Sequence, residues 1–456
     1  MSYGPTMFFT ISTRIEALTV ETYPIWTTLL VGREEILSGV DGKGPQHFIG
    51  PPRQKSSNYI TSTFFHDWEM NFHPPIHQSQ EEEESKEEQE QQEEKASCEW
   101  NFNLGTIVSS NCVGSMSDTI GTIEFDPSDQ FLATGGIARK IRIYSLKSLL
   151  PDHNSQGTTT TLLDHTNACD YYICTPAKLS SLRWKPNANG RVIGSGDYDG
   201  VVTEYDLERC IPIFERDEHG GRCIWSLDYS HSSPTIGGSG SDDGTMQMWD
   251  TRCDANESAV AMAQPSTSRS PICSVEFDQY GGELIALGCA DRKAYVYDIR
   301  NMSNPVSIYH GHRKTVSYVR FLGEGMMVSA GTDGCLKLWN MNNGAQTIRT
   351  YKGHSNHRNF VGLSVWRTGG LFGCGSESNE VFVYDKRWGN PMWVHGLDPM
   401  SSTRCDDTFI SSVCWRQVTN DECTLVAGGS DGILQVFVGK RKSSTSGDHV
   451  SHLPTF

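Results

Sequence analysis

The sequence predicts an all-β protein: a seven-bladed β-propeller over residues 98–438, behind a disordered Glu-rich arm over 1–97 and before a flexible tail over 439–456. Three observations carry this reading. A turn-to-aromatic unit recurs seven times, the intervals between recurrences suit one small sheet each, and the composition changes before Cys98.

The unit is an alternating strand, a turn, and a second strand ending on an aromatic. The closing aromatics are Tyr144, Tyr205, Trp249, Tyr297, Trp339, Tyr384 and Phe437. Six residues before each stands a turn residue: Asp199, Asp243, Asp291, Asp333 and Asp431 in five cases, Ala138 and Ser378 in the other two. Gly follows the Asp four times, because a tight hairpin needs a residue tolerant of positive φ. Successive aromatics lie 61, 44, 48, 42, 45 and 53 residues apart. These periods resemble WD repeats, which run ~40–45 residues and take insertions in loops. The polar stretch Lys147–Ala177 reads as a loop between blades one and two, and Trp388–Thr408 as a loop before blade seven.

The clearest repeats span Gly311–Asn340 and His219–Asp250. His312, Ser329, Asp333 and Trp339 occupy the places whose side chains form a hydrogen-bonded network in WD blades, and His219, Ser239, Asp243 and Trp249 repeat the set. Such a network satisfies polar groups that are costly to bury alone. The segment Cys98–Ser109 has the length of one strand, and it is expected to close the ring as the outer strand of blade seven. An open ring would leave sheet edges exposed.

Residues 1–97 show no sustained periodicity and too little apolar content to offset the entropy of ordering. The run Glu81–Lys95 holds nine Glu against two Lys, and the chain as a whole carries a net charge of −17. That balance argues against a general nucleic-acid binder, which needs a basic face. Arg14, Glu16 and Glu21 interrupt the apolar run a secretory signal would need, and no stretch reaches the ~18 apolar residues of a membrane span. A soluble intracellular protein is expected. The triplet Lys440-Arg441-Lys442 is a weak nuclear-import signal beside the simpler reading of a solvated tail.

Fourteen cysteines are scattered without CxxC spacing, and Cys169 and Cys174, in an expected loop, lack a second pair to complete a zinc tetrahedron. Reduced thiols, no metal and no cofactor are the expectation. Ser, His and Asp follow the blade register, which leaves them buried and paired, not exposed as a nucleophile and its base. No phosphate loop, GxSxG, HExxH or kinase set appears, so the chain is not expected to be an enzyme.

Segments SSLRW…GSGDYDGVVTEYD, GHRKTVSYVRFL, NHRNFVGLSV…GCGSESNEVFVYDKR and FISSVCWR closely resemble the WD-repeat domain of the plant constitutively photomorphogenic ubiquitin ligase. The likeness covers nearly all of Cys98–Phe437. That ligase carries a RING finger and coiled coil before its propeller; here no Cys/His array and no heptad run precedes Cys98. A propeller of this kind is most similar to the plant repressors of UV-B photomorphogenesis. The resemblance implies a repressor that binds the UV-B photoreceptor, returns it to its inactive dimer, and acts around ubiquitin ligases in nucleus and cytoplasm.

The resemblance further implies a top-face pocket for acidic peptides with a Val-Pro core, mapping onto Lys178, Tyr198, Arg222, Trp225, Lys314, His357 and Phe360. The residues support this on their own terms. Lys178, Arg222 and Lys314 each precede the inward aromatic of a first strand (Trp184, Tyr229, Phe321) by six or seven residues, so they stand at one rim. Converging cations suit carboxylates, and Trp225, Tyr198 and Phe360 suit an apolar core. The alternative is ordinary packing with solvated cations. His357 replaces an acidic residue of the ligase, and Cys223-Ile224 lengthens the Arg-to-Trp spacing by one. Finally, Trp249-Asp250-Thr251-Arg252 fits the WDxR box that docks on the damaged-DNA-binding adaptor of cullin-RING ligases, with weaker variants ending at Arg300 and Arg387. The box overlaps the repeat consensus, in which such an Arg merely bonds loop carbonyls. A substrate receptor of a cullin-RING ligase and a generic scaffold therefore stand beside the repressor reading.

Overall fold

A strand that buries alternate residues leaves its sheet faces in need of neighbours, and seven similar hairpin units solve this by packing side by side. In the computed structural model these units form seven sheets around one axis; residues 31–32, 98–110, 118–150, 160–217, 219–253, 259–323, 325–396, 408–418 and 422–442 are described. The first strands of blades one to seven are Ile120–Phe125, Leu179–Trp184, Ile224–Tyr229, Ile272–Phe277, Val316–Gly323, Leu363–Trp366 and Ile410–Trp415, and they line the axis. Each pairs antiparallel with the next strand of its blade.

The seven closing aromatics are all buried, from 0% to 2% exposed, and pack between blades. The residue after each turn position has positive φ throughout: Gly200, Gly244, Gly334 and Gly432, and also Arg139 (56°), Arg292 (75°) and Asn379 (61°). The hairpin geometry is thus kept in the three blades that lack the glycine, at the cost of a left-handed conformation in a side-chain-bearing residue.

Hydroxyls sew the inner strands together at four successive junctions. Leu182, Leu227, Val275 and Val319 each donate a backbone N–H across the blade boundary to Thr122, Ser181, Ser226 and Ser274 respectively, at 3.0–3.2 Å. These bonds satisfy backbone groups that the axis would otherwise bury unpaired.

Ring closure runs as expected, with an addition. Trp100–Ser109 pairs antiparallel with Leu434–Arg441, making the N-terminal strand the fourth of blade seven. Thr161–Asp164 then pairs in parallel with Trp100–Ser109, so the closing strand is flanked on both sides. The stretch Lys147–Ala177 is therefore not a plain loop. It supplies this fifth strand, a short helix His165–Ala168, and the outer strand of blade one, Tyr171–Cys174. Buried His165 ties the insert down, with Nδ1 2.8 Å from the Tyr144 hydroxyl and Nε2 2.8 Å from the Gly432 carbonyl. Its composition hid this because the anchoring partners are far away in sequence. Likewise Trp388–Thr408 is not all loop, since Trp393–Gly396 is the outer strand of blade six.

The last strand extends to Arg441, past the expected boundary at 438, and Lys440 and Arg441 pair with Glu422 and Glu99 at 3.0 and 3.4 Å. Two of the three basic residues read as tail are thus held in the sheet. In the arm, Val31–Gly32 forms a two-residue strand against Tyr171–Cys174. The rest of the arm with its Glu run, and residues 443–456, lie outside the described residues.

Candidate peptide-binding site

The network expected in the WD blades is complete in blade five. His312 lies 3.1 Å from Asp333 and 2.8 Å from Ser329, and the Trp339 indole donates to Ser329 at 2.7 Å. In blade three His219 reaches Asp243 and Ser239, both at 2.8 Å, but the Trp249 indole N–H has no partner among the described residues. That repeat therefore forms only three-quarters of the expected set. Asp333 also takes the Arg313 N–H of the loop that enters its first strand, whereas Asp243 takes the Thr245 N–H of its own turn.

The loops that enter the first strands build one rim of the channel. Trp225, early in the first strand of blade three, stacks on Phe360 of the loop before blade six, with centroids 5.1 Å apart and planes inclined at 22°. Tyr198 of blade two meets Trp225 edge-on at 5.9 Å, and Tyr318 of blade five meets Phe360 edge-on at 5.8 Å. Four rings from four blades thus form a continuous, half-exposed apolar surface. Tyr318 was not foreseen, because its place in the first strand reads as ordinary packing.

The cations stand around this surface in different ways. Lys314 donates its ammonium to the His357 carbonyl at 3.1 Å, joining blade five to the loop before blade six. Arg222 is 67% exposed and 3.9 Å from Asp242, whose carboxylate also accepts from the Trp225 indole at 3.5 Å. Burial raises the Asp242 carboxyl above its ordinary range. Lys178 accepts the Tyr198 N–H on its backbone carbonyl at 3.0 Å, which sets the two side by side. The His357 backbone is fixed by Glu377 at 3.0 Å while its side chain is exposed. All seven residues foreseen for the pocket therefore lie on loops or strand starts at the same rim.

Beneath the rings the channel holds a cavity of about 380 Å³ whose wall is ionic. Arg183 lies between Glu124 (2.5 Å) and Asp228 (3.3 Å), and Arg320 stands beside Glu276. These residues all occupy the position before the inward aromatic of their strand, a register in which the sequence shows only alternation. Burial pushes the Glu276 carboxyl up to about 7, with Arg320 opposing the rise.

At the far end of the third strands, Arg252 forks onto Asp250 at 3.0 and 2.6 Å with its side chain 72% exposed. Arg300 forks onto Asp298 at 2.8 and 2.5 Å in the same way. Arg387 forks onto Asp385 but also reaches Glu99 at 3.1 Å. The arginines thus bond carboxylates of their own box, not loop carbonyls. Among the described residues no group of three or more His, Cys, Asp or Glu could hold a metal ion, no disulfide joins the cysteines, and no helix is long and apolar enough to cross a membrane.

Fold and repeat together define a WD-repeat β-propeller protein. Residues 209–250 match the WD domain, G-beta repeat, and residues 235–384 match the nucleolar protein 10-like N-terminal domain. The WD repeat-containing protein RUP2 of Arabidopsis thaliana is 63% identical over 329 residues, covering 72% of this chain and 89% of that protein. RUP1 of the same plant is 56% identical over 345 residues, 75% of this chain and 86% of that protein. The chain belongs to the family of these two plant WD-repeat proteins. More distantly, it is 34% identical to the E3 ubiquitin-protein ligase COP1 of Pisum sativum over 326 residues, 71% of this chain but 45% of the ligase.

Proposed function

We propose that the chain is a non-enzymatic, protein-binding repressor of UV-B light signalling. It binds the UV-B photoreceptor through an acidic Val-Pro peptide laid on the top-face rings, and it promotes return of the photoreceptor to its inactive dimer. The observation that carries the reading is the stack of Trp225 on Phe360, flanked by Tyr198 and bordered by Lys314 and Arg222. An apolar surface held between cations accepts an apolar core flanked by carboxylates, and large aromatic rings are the residue types that dominate such interfaces. Kinship with RUP2 and RUP1 supports the assignment, as does the more distant likeness to a ubiquitin ligase.

Calorimetric titration of the full chain with an acidic Val-Pro peptide tests this, with Lys178→Ala, Trp225→Ala and Lys314→Ala beside it. Micromolar or tighter binding that the folded variants lose supports the pocket. No binding by the wild type rejects it. A second reading, receptor of a cullin-RING ligase, is favoured by the exposed Arg252 fork. It is compatible with the first, because the two use opposite faces.

A further inference from the structure

Blade six departs from the polar network of its neighbours. In blade five the turn residue Asp333 takes both His312 and the backbone N–H of Arg313, the latter at 2.8 Å. In blade six the turn residue is Ser378, and its hydroxyl goes to Ser376 and Glu380. The blade's histidine, His354, turns instead to the Tyr384 hydroxyl at 3.0 Å. The carboxylate has moved one residue upstream, to Glu377, whose longer side chain reaches a different set of donors.

Glu377 accepts four hydrogen bonds from three consecutive residues. The His357 N–H meets one carboxylate oxygen at 3.0 Å; the Arg358 and Asn359 N–H groups meet the other at 2.9 and 2.8 Å, and the Asn359 side-chain amide joins it at 3.0 Å. Successive N–H groups pointing into one concavity form an anion nest, and hydrogen bonds to a charged acceptor are the stronger kind. Here the chain's own carboxylate fills the nest. The loop so gathered carries two groups of the aromatic site: the His357 carbonyl that receives Lys314, and Phe360, which stacks on Trp225.

We propose that Glu377 is the positioning residue of the peptide site, holding the 357–360 loop so that Phe360 lies on Trp225 before any ligand arrives. This rests on the peptide reading above. It gives an acidic residue beside a rim meant for acidic ligands a role of its own, since its carboxylate is taken up by backbone N–H groups. Preorganisation of this kind raises affinity by lowering the ordering cost of binding. A purely electrostatic role would act in the opposite direction, since removing a negative charge there would favour an acidic peptide.

The test uses the full-length chain with Glu377→Ala, Glu377→Gln and Phe360→Ala. In the free protein, hydrogen exchange of the segment 355–362 should become at least about tenfold faster in Glu377→Ala, while the other blades keep their protection. Glu377→Gln retains an acceptor oxygen and should restore much of it. Affinity for the acidic Val-Pro peptide should fall about tenfold in Glu377→Ala, by less in Glu377→Gln, and little further when Glu377→Ala is added to Phe360→Ala. Unchanged exchange in Glu377→Ala, or tighter binding by Glu377→Gln, overturns the proposal. Faster exchange in a chain whose wild type binds no peptide supports the positioning role and rejects the peptide reading.

Discussion

The Trp225 indole and the Phe360 ring stack 5.1 Å apart although they belong to blades three and six, so the contact spans the mouth of the channel. Trp225→Ala removes the shared ring, and peptide affinity should drop by about tenfold or more while the melting transition shifts little, as the residue is half-exposed. The wild-type affinity should also weaken with added salt, because the rim cations Arg222 and Lys314 are open to solvent screening. Titrations at two salt concentrations check both points.

Arg252 and Arg387 share one motif but not one environment. Among the described residues Arg252 bonds only within its own box, and it is 72% exposed, whereas Arg387 is also anchored to Glu99 of the segment that closes the ring. Capture of the cullin-RING adaptor should therefore fall in Arg252→Ala by about tenfold and in Arg387→Ala by about twofold or less. Arg387→Ala should instead lower the melting temperature slightly, since it loosens a partly exposed ion pair. Pull-down of purified adaptor with thermal melts of each variant distinguishes the two.

Burial holds His354 at about 4, well below the usual histidine value, with its Nδ1 on the Tyr384 hydroxyl. The unfolded chain takes up this proton near pH 6.5 and the folded chain refuses it until about 4. The contribution of His354 is therefore fully present above about 6.5 and is lost as pH falls toward 4. Because Glu276 acts in the opposite direction over the same window, the loss is read as the difference between wild type and His354→Gln in denaturant melts from pH 7.5 to 4.5.

Glu276 has the opposite sign. Its buried carboxyl is raised to about 7 from an unfolded value of 4.5, so the folded chain holds a proton that the unfolded chain has released. Its contribution is present at low pH and is lost as pH rises from 4.5 through 7. Glu276→Gln can still accept the Phe321 N–H, which Glu276 now does at 2.9 Å, without being charged. It should stabilise the fold at pH 8 by ~1–3 kcal/mol and by little near pH 4.5, as measured by denaturant midpoints.

The closing strand is anchored by Phe102, 7% exposed and packed on Trp393 at 4.9 Å and Trp415 at 6.0 Å. Phe102→Ala should cost about 3–5 kcal/mol, the usual range for emptying a buried aromatic site. Because the strand closes the ring, the loss should appear as a lower melting point of the whole propeller, measurable by calorimetry, and not as local fraying.

The sequence alone determined the number of blades, the closing aromatics, the turns and the use of residues 98–109 to shut the ring. These follow from short-range periodicities: alternation along a strand, a fixed turn offset, and a repeat length that any one unit cannot satisfy alone. It also placed Lys178, Arg222 and Lys314 at one rim, since equivalent positions in a repeat occupy equivalent places in space; the other four pocket residues came from the family resemblance. Only the tertiary structure decided what depends on contact between distant segments. The parallel strand Thr161–Asp164 gains its identity from Trp100–Ser109, and the ionic wall of the channel joins Glu124, Arg183 and Asp228 from three blades. Glu377 shows the limit most plainly. One residue away from the expected turn position, its carboxylate looks misplaced in the repeat, and only the folded chain brings the three N–H groups of 357–359 to it. Periodicity records which face a residue presents; which partner it meets there is set by how the blades pack.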